Sequence, residues 1–146
     1  MSLRDWLANG WLTEQATGRR EIADMLAAVD RDLHECTIPD LSADWKLNIA
    51  YAAALRLATA ALAATGYRAS REQHHYRVIQ SLTLTISADP SLVREIDHFR
   101  KKRNIAVYDQ AGIVSDYEAE RMIELAHTLR DRVIAWLRET CPDVVE

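Results

Sequence analysis

The residues best suited to chemistry lie in the string from Asp97 to Asp109, near the end of a predicted helix. Arg103 occupies a position that helical periodicity assigns to an apolar residue, because it lies four residues after Phe99 and four before Val107. A guanidinium at such a position has to reach solvent, pair with a buried carboxylate, or face a cleft or an interface, since an unpaired buried charge is very costly. A structural salt bridge is the simplest explanation, and a binding cleft is the alternative.

A cleft built around Arg103 would favour phosphate. A guanidinium binds a phosphate through two parallel hydrogen bonds and stabilises negative charge that develops at phosphorus. Arg100, Lys101 and Lys102 directly precede it, and the segment from Arg68 to Arg103 carries eight basic and four acidic residues within a chain of net charge −4. This segment can contact a polyanion, although Lys101 and Lys102 also fit a solvated face near a helix C-terminus, where the helix dipole favours cations.

The pattern of Arg103, Asn104 and Tyr108 resembles the motif of HEPN domains (higher eukaryotes and prokaryotes nucleotide-binding). In that motif an Arg, usually followed by a polar residue, precedes a His by four to six residues near a helix end. Here Tyr108 stands at the position of the His, with four residues between it and Arg103. The chain length and the Ala-rich helix described below are also similar to that family. By this resemblance, residues 1–146 form a single HEPN-like domain.

The resemblance implies a helical bundle that forms a homodimer and brings two copies of the motif together in a cleft. Many HEPN domains are metal-independent endoribonucleases, often toxins whose antitoxin is a small nucleotidyltransferase, and others bind nucleotides, RNA or a protein without catalysis. No cofactor is expected. The candidate catalytic residues are Arg103, Asn104 and Tyr108, and the candidate contacts to RNA or a nucleotide are Arg100, Lys101, Lys102 and His98.

The tyrosine at position 108 changes what the motif can do. Cleavage of RNA by internal attack needs a group that titrates near neutral pH to take the proton of the 2′-hydroxyl. An imidazole, with an unperturbed pKa of about 6.5, suits this step, whereas a phenol, at about 10, stays protonated. Tyr108 is therefore expected to donate a hydrogen bond or to stack on a base. The motif favours phosphate binding over cleavage, and the alternative function is a protein-interaction module in which the motif only organises a dimer.

Other histidines could replace the missing one. His98 lies roughly 140° around the helix from Arg103 and is not expected to share its face. On the third predicted helix, Ile79 marks the core side, which places His75 inward and His74 outward. Adjacent helical residues diverge by about 100°, so this pair is not predicted to bind one metal ion.

The elements that position these residues are predicted to be helices. The 146 residues include 4 Gly and 3 Pro, about 5% together against roughly 12% in average usage, too few for the turns of a sandwich or barrel. Ala and Leu, both strong helix formers, make up about a quarter of the chain. The predicted fold is all-α, an antiparallel up-and-down bundle of four to five main helices.

Periodicity and stop signals predict a short helix at Leu3–Ala8 and main helices at Gly18–Cys36, Ser42–Gly66, Ser70–Asp89, Pro90–Val107 and Ser115–Thr140. Ser42 is a predicted N-cap, and Ser70 and Ser115 each begin a predicted capping box. Nine of the fifteen residues from Ala50 to Ala64 are Ala, which predicts a central helix buried on more than one side.

The location of the protein is predicted from its cysteines and its apolar segments. Cys36 and Cys141 lack metal-ligand or redox spacing and are predicted to be reduced thiols. The N-terminus lacks the apolar run of a signal peptide. The segment Ile49–Ala64 is interrupted by Arg56 and is short and Ala-rich for a membrane span. These features predict a cytoplasmic protein without a membrane partner.

Overall fold

The structure, a computed structural model, describes residues 1–145 as a bundle of α-helices with a two-stranded sheet. The all-α prediction is confirmed. The helices are α1 (Leu3–Ala8), α2 (Arg19–Glu35), α3 (Ala43–Ala64), α4 (His74–Gln80), α5 (Leu82–Thr85), α6 (Pro90–Asn104) and α7 (Asp116–Thr140). The strands are β1 (Leu12–Glu14) and β2 (Tyr67–Ala69), and single turns of other helix types are a π-helical turn at Ile105–Asp109 and a 3-10 turn at Pro142–Val144.

Capping residues set several helix ends where the sequence predicts them. The Ser42 hydroxyl accepts a hydrogen bond from the Trp45 N–H at 3.2 Å. Ser115 and Glu118 form a reciprocal capping box at the start of α7. Gly66 follows α3 with a φ of +92°, which glycine adopts without the steric cost of a side chain. Local chemistry therefore determines the limits of α3 and the start of α7.

The prediction of one helix over Ser70–Asp89 is wrong in two respects: the helix begins later, and it is divided into two. The Ser70 hydroxyl does not cap a helix but donates to the Gly10 carbonyl oxygen at 2.8 Å, and the Ser70 N–H donates to the Trp11 oxygen at 2.9 Å. These bonds continue the antiparallel pairing of β1 with β2. Because Ser70 is held by the N-terminal segment, α4 begins only at His74, and a break separates it from α5.

The fourth predicted helix changes its winding after Asn104. In the π-helical turn, the Gln110 N–H donates to the Ile105 carbonyl oxygen, five residues back, at 2.8 Å. This wider turn moves Val107 off the core face, and its side chain is 45% exposed. The prediction that Val107 continues the apolar stripe is therefore wrong, since the buried part of the stripe ends with Phe99.

The Ala-rich helix α3 packs against both α2 and α7, as expected of a central helix. Its buried alanines are Ala50, Ala53, Ala54, Ala58, Ala60, Ala61 and Ala63. Among the described residues, α3 is the one helix long and apolar enough by composition to cross a membrane, and 61% of its most apolar window is buried inside the bundle. At Ala43–Ala64, α3 is longer than the segment Ile49–Ala64 that the sequence indicated to be too short for a membrane span. Its burial inside the bundle is that of a core helix.

The polar and sulfur-containing side chains near this core include an ion pair between Arg56 and Asp32 and two free cysteines. Arg56 of α3 donates from Nη1 to Oδ2 of the buried Asp32 on α2 at 2.5 Å, so the charge that interrupts the apolar helix is paired. Cys36 and Cys141 are both free thiols. Burial raises the pKa of the Cys36 thiol to about 11, which keeps it protonated at neutral pH.

Candidate anion-binding cleft

An open cleft of about 900 Å³ lies between α4, the end of α6 and the π-helical turn. Its volume falls within the range of ligand sites, roughly 300–1,000 Å³. The three motif residues all line it, together with Arg100. The lining residues are Gln73, His74, His75, Tyr76, Arg77, Arg100, Arg103, Asn104, Tyr108 and Asp109.

Arg103 is held in the cleft by amides rather than by a carboxylate. Its Nε donates to Oδ1 of Asn48 on α3 at 2.9 Å, and its Nη1 donates to Oδ1 of Asn104 at 3.1 Å. Among residues 1–145 no carboxylate forms an ion pair with it, and its Nη2 has no hydrogen-bond partner. The salt-bridge explanation for Arg103 is therefore wrong. The two amides orient the guanidinium without neutralising its charge, which leaves donors for an anion.

The aromatic side chains beside Arg103 differ in burial. The ring of Tyr51, on α3, is buried, and its centre lies 5.5 Å from the Arg103 Cζ. The ring of Tyr108 lies 5.8 Å from the same atom and is 72% exposed. Position 108 therefore presents a flat aromatic face at the mouth of the cleft, on which a base can stack.

The basic run is divided between structural and cleft-facing roles. Arg100 lines the cleft and also donates from Nε to the largely buried Asp97 at 2.7 Å. Lys101 lies outside the cleft, exposed and 3.9 Å from Asp97. Lys102 also lies outside it, 3.4 Å from Glu118 of α7. Of the four basic residues from Arg100 to Arg103, the structure therefore brings Arg100 and Arg103 to the cleft.

The exposed side chain of His98 does not line the cleft either. Its ring packs edge-on against Phe99, with the ring centres 5.3 Å apart. This separation agrees with the angular argument from the sequence, and it removes His98 from the immediate surroundings of Arg103.

Helix α4 contributes residues that the motif did not identify. Arg77 stacks on Trp11, with its Cζ 3.7 Å from the ring centre, and has no ion pair among residues 1–145. His75 lies in the cleft with its Nδ1 3.4 Å from the Tyr51 hydroxyl. His74, which was expected to point outward, also lines the cleft and donates from Nδ1 to the Ala69 carbonyl oxygen at 3.1 Å. Only the inward placement of His75 was predictable, from its position on the core side of the helix.

Burial and neighbouring positive charges determine the ionisation of the cleft. Burial lowers the pKa of the His75 imidazole below its ordinary value of 6.5, and the charges of Arg103, His74 and Arg100 lower it further. Burial also raises the pKa of Tyr51 to about 12, although the Arg103 charge opposes this change. At neutral pH the cleft therefore holds a neutral imidazole beside permanent guanidinium charges.

Known proteins provide no assignment for this site. Comparison of the chain with protein-family models, curated proteins and solved structures finds no match. Within residues 1–145 no group of three or more His, Cys, Asp or Glu side chains could hold a metal ion. The chemistry of the cleft therefore follows from the residues that line it.

Proposed function

We propose that this protein is an HEPN-like domain that binds single-stranded RNA, or a nucleotide, through phosphate groups placed in the cleft. One observation carries the proposal: Arg77 and Arg103 line the same cleft from two different helices, and neither has a carboxylate partner among the described residues. A half-buried guanidinium without a counter-charge favours an anionic ligand. Of the described residues that line the cleft, one, Asp109, carries a carboxylate.

The shape and aromatic content of the cleft favour a nucleic-acid ligand over a free inorganic anion. The cleft is open to solvent, so a ligand larger than a single ion can enter it. Tyr76 and Tyr108 both line it beside the guanidinium groups. Aromatic rings next to cations are the usual arrangement for single-stranded nucleic acid, since bases stack on the rings while the cations bind phosphates.

The first prediction concerns the salt dependence of RNA binding. Fluorescence anisotropy with labelled single-stranded RNA should show binding that weakens as salt rises. Two to three phosphate contacts predict a log–log slope of about −1.4 to −2.1. Competition by nucleoside monophosphates distinguishes nucleotide binding from binding that needs the chain. No binding at low salt, or binding indifferent to salt, would contradict the proposal.

The second prediction concerns a homodimer. Exposed apolar side chains outside the cleft gather where α6 ends and α3 and α7 begin, namely Trp45, Ile105, Val107 and Tyr117. These segments are in contact, since the Gly112 N–H donates to Asp44 at 2.7 Å and Lys102 pairs with Glu118. Because such a set of exposed apolar groups is typical of interaction sites, we expect a second copy of the chain to cover it.

Sedimentation velocity tests the dimer directly. The wild-type protein is expected to sediment as a dimer and Ile105→Lys as a monomer, because the new charge would be buried at the interface. Ala27→Lys, on the exposed face of α2, adds the same charge elsewhere and should leave the dimer intact. A wild-type monomer at high concentration contradicts the prediction. If the dimer forms but the protein binds neither RNA nor nucleotides, the results favour the alternative function, a protein-interaction module in which the motif only organises the dimer.

A further inference from the structure

His75 supplies to the cleft the imidazole that a tyrosine replaces at position 108, and an imidazole can accept a proton near neutral pH. It lines the cleft together with Arg103, although the two residues come from different helices. Tyr51 lies between them: its hydroxyl is 3.4 Å from the His75 Nδ1, and its ring centre is 5.5 Å from the Arg103 Cζ. A phosphate bound by the Arg103 guanidinium would therefore lie near the imidazole.

The surroundings of His75 determine its protonation state. The ring is neutral at pH 7, because burial and the nearby guanidinium charges of Arg103 and Arg100 lower its pKa. In the tautomer with the proton on Nδ1, the ring donates to the Tyr51 oxygen and leaves Nε2 free to accept a proton. The titratable and charged groups around the ring are Tyr51 from α3, Arg100 and Arg103 from α6, Tyr108 and Asp109 from the π-helical turn, and His74, Tyr76 and Arg77 on its own helix.

We propose that His75 is the general base of an RNA-cleaving site in this cleft, with Arg103 as the group that binds the reacting phosphate. The inference rests on the proposed function, since RNA must first bind. His75 would take the proton of a ribose 2′-hydroxyl, and the 2′-oxygen would form a bond to phosphorus as the bond from phosphorus to the 5′-oxygen breaks. The proton returns from the imidazolium through water to the departing 5′-oxygen. The products are a 2′,3′-cyclic phosphate and a 5′-hydroxyl, so no water is consumed.

Arg103 and Tyr51 have separate parts in this step. The free Nη2 of Arg103 donates to the phosphate oxygens, where negative charge increases in the transition state. Tyr51 touches neither the phosphate nor the ribose, and it acts as a positioning residue that holds the imidazole ring. Its high pKa keeps it a neutral phenol throughout the neutral range.

The test is a cleavage assay with single-stranded RNA of mixed sequence in the presence of EDTA, with the 2′-deoxy oligonucleotide as control. Wild-type protein should release 2′,3′-cyclic phosphate ends from RNA alone. Because general bases contribute about 10²–10⁴-fold, His75→Asn should slow cleavage at least a hundredfold while RNA binding stays within a few-fold. His127→Asn, at an exposed position of α7, is the matched control and should cleave like wild type.

The pH profile provides a second readout. The wild-type rate should rise with pH to a plateau, with a midpoint below 6.5, because the base must be unprotonated. Tyr51→Phe should move that midpoint to lower pH, since it removes an oxygen that stabilises the imidazolium. A merely structural role for Tyr51 would lower the rate without moving the midpoint. If circular dichroism shows that His75→Asn does not fold, the role of His75 is tested instead by the cleavage rate of His75→Gln and by the pH profile of the wild-type protein.

Each outcome separates this inference from the proposed function. RNA that binds but is not cleaved, cleavage that survives in His75→Asn, or loss of cleavage only in His74→Asn overturns the role of His75 and leaves RNA binding in place. Failure of the wild-type protein to bind any RNA overturns both.

Discussion

Replacing Arg103 with alanine should weaken RNA binding by roughly ten- to a hundredfold. A hydrogen bond to a charged group contributes about 1.5–3 kcal/mol, and each 1.4 kcal/mol is about a factor of ten in Kd. Arg103 is the largest single contributor we expect, because Asn48 and Asn104 orient its guanidinium before any ligand arrives. The side chain therefore loses little additional freedom on binding. Fluorescence anisotropy at fixed salt measures the change.

Two further variants distinguish the geometry of Arg103 from its charge. Arg103→Lys keeps the charge but cannot reproduce the planar fork, so it should recover only part of the affinity. Arg20→Ala removes one positive charge from the exposed face of α2, outside the cleft, and should change binding less than twofold at moderate salt. Equal losses in Arg103→Ala and Arg20→Ala would show that only net charge matters and would contradict a specific site.

Leu57→Ala should lower the free energy of unfolding by about 2–5 kcal/mol, the usual cost of a leucine removed from a packed core. Leu57 is fully buried in the middle of α3, which packs against both α2 and α7. Because the neighbouring alanines have no side-chain length with which to fill the space, the cavity should collapse poorly. This loss is a large share of the 5–15 kcal/mol that stabilises a typical domain. Urea unfolding followed by circular dichroism measures the midpoint and slope.

Leu55→Ala is the matched control for this variant. Leu55 lies on the same helix and is partly buried, so its truncation removes the same atoms with nearly the same change in helix propensity. Since the stabilisation scales with the apolar area removed from water, its loss should be clearly smaller. If both variants lose the same stability, α3 is not packed as the structure has it.

Local rules predicted most of the helical framework. Ser42 and Ser115 cap their helices through hydrogen bonds within three residues, and Gly66 follows α3 in a conformation that suits glycine. These interactions depend on neighbours in sequence, so they can be recognised without the fold. The Ala-rich composition of α3 likewise predicted its central place.

The errors came from contacts that are distant in sequence. Ser70 has the residues of a capping box after it, but its hydroxyl bonds to Gly10, 60 residues away, and the helix begins later. Tertiary context overrides a local preference of this size, about 1 kcal/mol for a cap. After Asn104 the chain adopts a π-helical turn, and periodicity with 3.6 residues per turn cannot follow that change.

The sequence by itself determined that the protein is a helical bundle and that a polar break at Arg103 interrupts an apolar stripe, because both follow from composition and helical period. Only the tertiary structure decided what that break does. It replaced the expected carboxylate partner with Asn48, 55 residues away, and it brought His75 and Arg77 of α4 to the same cleft. The physical reason is that an ion pair, an amide clamp and a ligand site all satisfy one half-buried guanidinium, and only the packing of α3, α4 and α6 selects among them.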